Sequence, residues 1–518
     1  MKKMNLLAMS LVSAAALSFS SCSSNDDLGG GAGTQSQVDG FYMTLAIQTP
    51  TSNGTRTVGD KTESAKEVEQ AVKKGTFFLV DQNGHIAFSR PVDSSSKNED
   101  ETWNGATEKQ NGTKLINIKV DKVVAGTTYK VYFLAGDHTI PAGVNPAAHT
   151  FTATGKFAEP FATVNNFAMF NQNDKNVNGS GYTVIFQNSN KDKSNPAQVN
   201  YQKNKDTEAV PNAPIKIERI TARIDAPTSG TATTIVDYDG TKKLTQAVKD
   251  AMADAKAKVK SITLNKYAIA NLTNKTNVMQ QWNATWDLQI PEGTTPVWQV
   301  TNDFGENKLY ADGGFKTVTD APNNYVLENN STTDPTKMYF EYKVTLDDTK
   351  FKNKAGEVMP ADYTGTDPYA GTFYRYNNII FTSFAQIFNH YADVTDIFDK
   401  GVDATAMKAN LDKIFKMEEG EAKEKALESF RNTYDIEVFV KGMTYYQKEI
   451  VDKNILAAGK SLIQRNTIYK VNVDKIFNIG AQVPNGEDEI DKKSLFYLNV
   501  TVSVNPWVLN TQNVELGD

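Results

Sequence analysis

The stretch FYMTLAIQ at residues 41–48 places an apolar side chain at every second position. The four apolar members are Phe41, Met43, Leu45 and Ile47. Because successive side chains of a strand point to opposite faces, this spacing predicts a β-strand with one buried face. Burial contributes about 1.5–3 kcal/mol per large apolar side chain, so the four would contribute roughly 6–12 kcal/mol as an upper bound. This upper bound is comparable to the net stability of a whole domain, about 5–15 kcal/mol.

A secretory signal peptide is predicted upstream of this strand, at residues 1–21. Lys2 and Lys3 precede an apolar run at residues 6–17, and small residues follow the run. This order is typical of a signal peptide. The run is too short for a membrane span, which needs about 20 apolar residues.

Cys22 is the only cysteine among 518 residues, and it directly follows Phe19-Ser20-Ser21. This position predicts a lipoprotein whose new N-terminal cysteine is acylated. Stable anchoring takes more than one lipid chain, so a multiply acylated Cys22 would hold the protein on a membrane. The alternative is that a slightly longer signal peptide is removed together with the cysteine.

Arg56 lies in the polar loop Gly54-Thr55-Arg56-Thr57, after the alternating strand. An Arg-specific protease cutting between Arg56 and Thr57 would separate the mature chain from residues 22–56, which we interpret as a propeptide. If the strand at residues 41–47 then left, an apolar groove with unpaired backbone edges would be exposed. Such an edge can pair with a strand from another chain.

The composition is that of an exported protein with an ordinary hydrophobic content. The chain is 39% hydrophobic and 22% charged, with a net charge of −6. This acidic balance, without a basic patch, argues against nucleic acid as a partner. With no pair of cysteines, stability must come from core burial and β-sheet hydrogen bonds.

The pattern along the chain predicts a mainly β protein with a few inserted helices. We expect two β-sandwich-like domains of transthyretin-like or Greek-key topology, at residues 57–213 and 214–518. The second would begin with one strand at residues 215–224. Helices are expected at residues 64–74, 244–259 and 403–431, the first with Gly75 as its C-terminal cap.

No motif in the sequence predicts an enzyme, a cofactor or a metal site. The chain lacks a phosphate-binding Gly-rich loop, and its four histidines are scattered. The segment that begins at Asp237-Tyr238-Asp239-Gly240 lacks the third ligand and the terminal glutamate of a calcium loop. Many carboxylates are present, so the sequence alone does not exclude a glycosidase pair.

The C-terminal tail allows two interpretations. Asn505-Pro506 is expected to end an alternating strand, because proline cannot continue a central ladder. The tail then offers further apolar residues: Trp507, Val508, Leu509, Val514 and Leu516. These residues could form an edge strand of the chain's own domain or a donor strand for another molecule, and their spacing does not separate the two.

Five motifs, in this order, resemble the Bacteroidetes fimbrillins, or type V pilins, of the minor-fimbrium major-subunit kind. They are Phe19-Ser20-Ser21-Cys22, the Arg56 loop, residues 217–224 (IERITARI), residues 465–471 (RNTIYKV) and Val504-Asn505-Pro506-Trp507. The resemblance implies two β-sandwich domains, export as an outer-membrane surface lipoprotein, removal of the first strand by an Arg-specific protease, and polymerisation by strand exchange. It assigns lipid to Cys22, cleavage to Arg56, the removable strand to residues 41–47 and the donor strand to residues 507–516.

The resemblance also implies the partners: further copies of the same chain, and accessory tip and anchor fimbrillins. The chain would be the major subunit of a cell-surface fimbrium that supports adhesion and biofilm formation. Within the family, the alternatives are an uncut anchor or a tip subunit that accepts a strand without donating one. Outside it, a surface glycan-binding lipoprotein could use Trp103, Trp282, Trp286 and Trp298 as an aromatic platform, although core packing is the commoner role of tryptophan.

Overall fold

The structure is a computed structural model, and only part of the chain is described. The described residues are 40–49, 63–64, 69, 71–98, 100–104, 113–153, 158–173, 179–202, 209–229, 234–241, 243–285, 287–294, 296–297, 315–319, 323–394, 397–398, 402–452, 462–483 and 498–508. The predicted signal peptide, lipid site Cys22 and cleavage site Arg56-Thr57 lie outside these residues, as do Leu509, Val514 and Leu516 of the tail.

Short strands make up most of the described chain before the first helix. They are β1 (Phe41–Gln48), β2 (Glu63–Ser64), β3 (Lys74–Val80), β4 (Ile86–Asp93), β5 (Glu101–Asn104), β6 (Thr113–Val120), β7 (Thr128–Ala135), β8 (Thr150–Thr152), β9 (Ala162–Thr163), β10 (Asn166–Phe167), β11 (Met169–Asn171), β12 (Tyr182–Ile185), β13 (Ala197–Gln198), β14 (Asn200–Gln202), β15 (Ala209–Val210), β16 (Ile215–Arg219), β17 (Ala222–Asp225) and β18 (Thr228–Ser229).

Helices and strands are mixed in the second half. In chain order they are α1 (Gln246–Lys258), β19 (Val259–Ala270), β20 (Leu272–Thr273), β21 (Lys275–Asn277), β22 (Gln281–Trp282), β23 (Leu288–Gln289), β24 (Pro296–Val297), β25 (Asn323–Val326), β26 (Lys337–Leu346), β27 (Phe373–Tyr376), β28 (Ile379–Phe381), α2 (Phe384–His390), α3 (Ala404–Phe415), α4 (Glu421–Tyr434), β29 (Glu437–Phe439), β30 (Met443–Glu449), β31 (Thr467–Ile476) and β32 (Leu498–Val508). Short 3-10 helices lie at Pro146–Ala148, Glu159–Phe161, Asn188–Lys191, Asp348–Lys350 and Val440–Gly442.

The first layered unit is a continuous sheet with the order β15-β14-β12-β7-β11-β16-β1-β6-β5, which β3, β4 and β13 join off this path. Apolar side chains of β1 and β6 share one core with those of β3 and β7. The sheet therefore encloses a core between its two parts, as a sandwich does. Asn83 and Gly84 form the turn between β3 and β4, and Gly84 adopts a φ of +85°.

The second layered unit consists of two sheets. One has the order β2-β32-β31-β17-β25, with β18 beside β31, and we call it the C-terminal sheet. The other has the order β19-β26-β30. Side chains of β17 and β31 share a core with those of β19 and β26. The prediction of a mainly β protein with a few helices is confirmed, while the domain limits at residues 57–213 and 214–518 remain a prediction.

A helical insertion with its own apolar core follows β26. Helices α2, α3 and α4 pack there against the small sheet β28-β27-β29. The helix predicted at 403–431 is two helices, α3 and α4, and Gly420 precedes the second. Asp403 caps α3, because its carboxylate accepts a 2.7 Å hydrogen bond from the backbone N–H of Ala406. Among the described residues, no helix has both the length and the apolar character needed to cross a membrane.

Three local predictions need correction. The helix predicted at residues 64–74 is shorter than expected, because Glu69 is helical but Ser64 and Lys74 lie in β2 and β3. Gly75 is not a helix cap but lies in β3, where a side chain would approach the Leu134 backbone oxygen of β7 to 2.6 Å.

The other two corrections concern strands. The single strand expected at residues 215–224 is divided into β16 and β17, which belong to different sheets. Pro506 does not end the C-terminal strand, which continues to Val508. Proline is tolerated on edge strands, and within the described residues β32 pairs with β31 on one side and has only the two-residue β2 on the other.

Gly442 tests the packing between the helical insertion and the second sandwich. Its φ is +78°, and a Cβ atom there would lie 2.7 Å from the Val344 backbone oxygen of β26. Gly442→Ala should lower the free energy of unfolding by about 2–4 kcal/mol, because backbone strain and a clash add. Gly356, with φ +85° and open space around it, is the matched control, and its alanine variant should lose only about 1 kcal/mol. Equal losses in urea denaturation would contradict the proposed clash.

Candidate functional site

Strand β1 lies in the interior of the first sheet, with a partner on each edge. It pairs antiparallel with β6 along its whole length, from Phe41 opposite Val120 to Gln48 opposite Thr113. Its other edge pairs in parallel with two separate strands, β13 and β16. We call the space that β1 fills between these neighbours the β1 groove. The predicted removable segment is therefore a central strand.

The four apolar side chains of β1 fill the core beneath the groove. Phe41, Met43, Leu45 and Ile47 are each at most 1% exposed, whereas the side chains between them are partly exposed. Ile118 and Ile116 of β6 lie beside Met43 and Leu45 in the same sheet, and apolar residues of β3 and β7 belong to the same core. Burial of each such side chain contributes about 1.5–3 kcal/mol, so removal of β1 would expose a large apolar surface.

Aromatic side chains close one end of the β1 groove. The ring of Phe41 packs against that of Phe186, with centroids 5.4 Å apart, and Phe186 also contacts Tyr129. The ammonium group of Lys191 lies 5.9 Å from the centroid of the Phe41 ring. Aromatic contacts and a nearby cation add to the burial term, so this end of the groove favours an aromatic side chain.

The two walls of the groove differ. On the β6 side, the Thr44 hydroxyl also donates a 2.6 Å hydrogen bond to the Asn117 side chain. On the other side, contact is limited to short stretches: Met43 pairs with Ala197, Thr44 with Gln198, Ile47 with Ile215 and Gln48 with Lys216. The continuous β6 ladder therefore holds β1 along its full length, and the β13/β16 wall holds it at two places.

Downstream of β1, the chain is fixed again at Glu69. This residue is 1% exposed, and its carboxylate accepts hydrogen bonds from Arg223 of β17, at 3.0 and 3.1 Å, and from the Tyr325 hydroxyl of β25, at 2.6 Å. Burial, together with the Glu69 carboxylate, raises the pKa of Tyr325, so the phenol stays protonated and donates. Charge-assisted hydrogen bonds are short and strong, so Glu69 is firmly attached to the C-terminal sheet.

Arg219 connects this attachment to the end of β16. Its Nε donates a 3.0 Å hydrogen bond to the backbone oxygen of Glu69, and its Nη1 donates one of 3.0 Å to the Asn466 side chain. Burial lowers the pKa of Arg219 to about 9, against the favourable charge of Glu69, so the side chain remains a cation at neutral pH. We call Glu69, Arg219, Arg223 and Tyr325 the Glu69 junction.

A third buried arginine, Arg465, lies beside this junction. Arg465 donates hydrogen bonds of 2.8 Å to the Glu328 carboxylate and 2.8 Å to the Val278 backbone oxygen. Gln280 donates to the same carboxylate at 2.5 Å. Removing one partner of a buried ion pair is strongly destabilising, so these contacts fix the residues just before β31.

The C-terminal strand β32 belongs to the sheet of its own chain. It pairs antiparallel with β31, from Leu498 opposite Ile476 to Pro506 opposite Thr467. At its far end, Trp507 and Val508 pair in parallel with Glu63 and Ser64 of β2. Up to Val508, the tail is therefore part of a strand in its own domain.

The sequence predicts the strand β1 and both arginine motifs but not the acidic residues that bind the arginines. The structure brings the motifs at residues 217–224 and 465–471 together, because Arg219 donates a hydrogen bond to Asn466. The missing partners, Glu69 and Glu328, carry no sequence signal, because each lies more than a hundred residues from the arginine that it binds.

The described residues offer little for the rival roles. Trp103 and Trp282 are half-buried and lie on different sheets, while Trp286 and Trp298 are outside the described residues. Burial lowers the pKa of His138, whose ring packs against the stacked rings of Phe151 and Phe161. No group of three or more metal-ligating side chains occurs within the described ranges.

A family comparison supports the resemblance at the C-terminal end of the chain. Residues 437–513 match the family model described as major fimbrial subunit protein type IV, fimbrillin, C-terminal. The match extends over β29, β30, β31 and β32 and confirms the resemblance to fimbrillins. It supports a role as a fimbrial subunit, a structural class and not an enzymatic one. None of the curated proteins matches the chain.

Solved structures with partial similarity come from Parabacteroides and Bacteroides species. A candidate cell adhesion protein from Parabacteroides distasonis has 11% identity and a TM-score of 0.42, covering 92% of this chain and 99% of its own. A fimbrial assembly protein from the same species has 10% identity and a TM-score of 0.28, covering 59% and 82%. A candidate polysaccharide-binding protein from Bacteroides thetaiotaomicron has 12% identity and a TM-score of 0.20, covering 57% and 75%.

Leu45 tests how strongly β1 is bound in its groove. Leu45→Ala in the uncut chain should lower the free energy of unfolding by about 2–5 kcal/mol, because it removes buried methyl groups and leaves a cavity. Ala46→Ser, at the neighbouring position on the opposite face, should change it by less than about 0.5 kcal/mol. The measurement is urea denaturation of both variants, and a loss below about 1 kcal/mol for Leu45→Ala would contradict tight core packing.

Proposed function

We propose that this protein is the major structural subunit of a cell-surface fimbrium, assembled by strand exchange after cleavage at Arg56. The precursor is exported, acylated at Cys22 and held at the outer membrane by its lipid. An Arg-specific protease cuts between Arg56 and Thr57. The mature subunit then joins further copies of itself and accessory tip and anchor subunits. The observation that carries this proposal is the central position of β1 in its sheet. The proposed cut would end the covalent connection between this strand and the rest of the sheet.

The structure of β1 supports strand replacement over simple strand loss. The β1 groove has backbone hydrogen-bonding groups on both walls and a row of apolar contacts at its floor. Buried backbone groups without partners cost free energy, and so does exposed apolar surface. A subunit that loses β1 therefore gains stability by accepting another strand, which supplies both kinds of contact.

The proposed cut lies between two fixed points of the chain. Upstream, Gln48 pairs with β6 and β16. Downstream, Glu69 is attached to the C-terminal sheet by Arg223 and Tyr325. Cleavage at Arg56 would leave β1 held only by noncovalent contacts, while the mature chain keeps its own attachment. Separation of β1 then requires no change at the downstream point.

The donor is the C-terminal tail of a neighbouring copy. The donor strand predicted from the sequence comprises Trp507, Val508, Leu509, Val514 and Leu516. Trp507 and Val508 lie in β32 of their own subunit, so we assign the donated part to residues 509–518. Because donor and groove are different surfaces of one subunit, the contact is heterologous and does not close, which builds a filament.

Replacing Arg56 tests the cleavage step. Arg56→Ala should abolish surface polymers, because β1 remains covalently attached and occupies the groove. Thr55→Ala keeps the arginine and should still be cut and polymerise. Polymers are followed as boil-resistant ladders in gel electrophoresis, with the N-terminal residue identified by sequencing. Unchanged ladders in the Arg56→Ala variant would refute the proposed cleavage.

Removing the tail tests the donor. Deletion of residues 509–518 leaves β32 complete and should give cleaved, folded monomers, because the groove has nothing to accept. Deletion of Gly517 and Asp518 alone serves as the control and should preserve polymers. Size-exclusion chromatography of the mature proteins distinguishes the outcomes. Filaments formed without residues 509–518 would show that the donor lies elsewhere in the chain.

A further inference from the structure

Strand β2 lies near the beginning of the proposed mature chain and pairs with the end of the C-terminal strand β32. Thr57 would be the first mature residue, and Glu63 follows it by six positions. Glu63 and Ser64 pair in parallel with Trp507 and Val508. The pairing occurs at the last described residues of β32, directly before the tail that is proposed to leave the subunit.

The Glu69 junction fixes the position of β2. Only residues 65–68 separate Ser64 from Glu69. A trans chain spans at most about 3.6 Å per residue, so Ser64 stays within about 18 Å of Glu69. Because Glu69 is buried and bound by Arg223 and Tyr325, this short tether does not depend on anything upstream of residue 63. Cleavage at Arg56 leaves it intact.

We propose that β2, tethered at Glu69, is a clamp that persists after cleavage and fixes the point where the donor tail leaves its own subunit. The clamp holds the end of β32 at Trp507 and Val508, so residues 498–508 remain part of the C-terminal sheet and only residues 509–518 are left to act as the donor. Glu69 acts as a positioning residue, through β2. The inference rests on the proposed function for the role of the tail.

The clamp explains how one cut can act on β1 alone. β1 and β2 lie on either side of Arg56, and each pairs with a different sheet. The upstream strand loses its covalent connection, and the downstream strand keeps its tether. The released subunit therefore has an open groove together with a C-terminal strand that is still held at a defined residue.

Amide hydrogen exchange of the peptide covering residues 498–508 tests the clamp in purified monomers. An engineered protease sequence in place of residues 54–57 allows cleavage without the Arg-specific enzyme. Exchange in this peptide should change less than threefold on cleavage. Glu63→Pro combined with Ser64→Pro removes both β2 backbone donors, and exchange should then rise more than threefold. The matching alanine pair should retain the original rate.

Glu69→Gln tests the tether separately. It removes the charge that binds Arg223, and the next buried residue downstream is Val72. Lengthening the tether from five to eight residues lowers the effective concentration of β2 about twofold, so exchange at residues 498–508 should rise by at least that factor. If this variant fails to fold, the proline pair decides alone. Faster exchange on cleavage of the wild-type sequence, or unchanged exchange in the proline pair, would overturn the clamp.

These outcomes are distinct from those of the proposed function. The exchange experiment uses monomers and an engineered cut, so its result does not depend on Arg56 or on polymerisation. Polymers that form from the Arg56→Ala variant would refute the proposed cleavage but leave the clamp intact. Unaltered polymers together with faster exchange at residues 498–508 in the cleaved monomer would refute the clamp but leave the proposed function intact.

Discussion

The pairing of β1 on both of its edges is the constraint on which the first sandwich depends. A central strand supplies hydrogen bonds to two neighbours and side chains to the core, so its loss cannot be repaired by a small local shift. Under the proposed function, the strand that stabilises the first sandwich is also the strand that is removed, so both properties depend on the same eight residues of β1.

The Glu69 junction gives the remainder of the molecule a fixed reference. It joins the segment after the proposed cut to β17 and β25, and through Arg219 to the end of β16 and to Asn466. Buried charges are costly unless they are paired and hydrogen-bonded. Here each of these contacts joins distant parts of the sequence, so the pairing fixes the positions of strands that share no turn.

Local patterns in the sequence were sufficient where a segment's own side chains determine its structure. The alternation at residues 41–48 predicted a strand and its buried face, and Asp403 marked a helix start. Prediction failed where distant contacts decided the outcome. Gly75 suggested a helix cap, but it lies in β3, where the close approach of β7 requires a glycine. Pro506 suggested a strand end, but it lies in β32, which within the described residues has only β2 on its second side. The acidic partners Glu69 and Glu328 depend on contacts that only the folded chain creates.

The position of β1 in the sheet also has a consequence for the order of folding. β1 is synthesised early, yet its wall on the parallel side is completed by Ile215 and Lys216 of β16, roughly 170 residues later. Pairings between such distant segments form slowly, because a long loop must close before any contact is gained. The first sandwich therefore cannot close around β1 until the chain has emerged beyond β16. The strand whose release we propose is therefore made early but takes its final place in the sheet late.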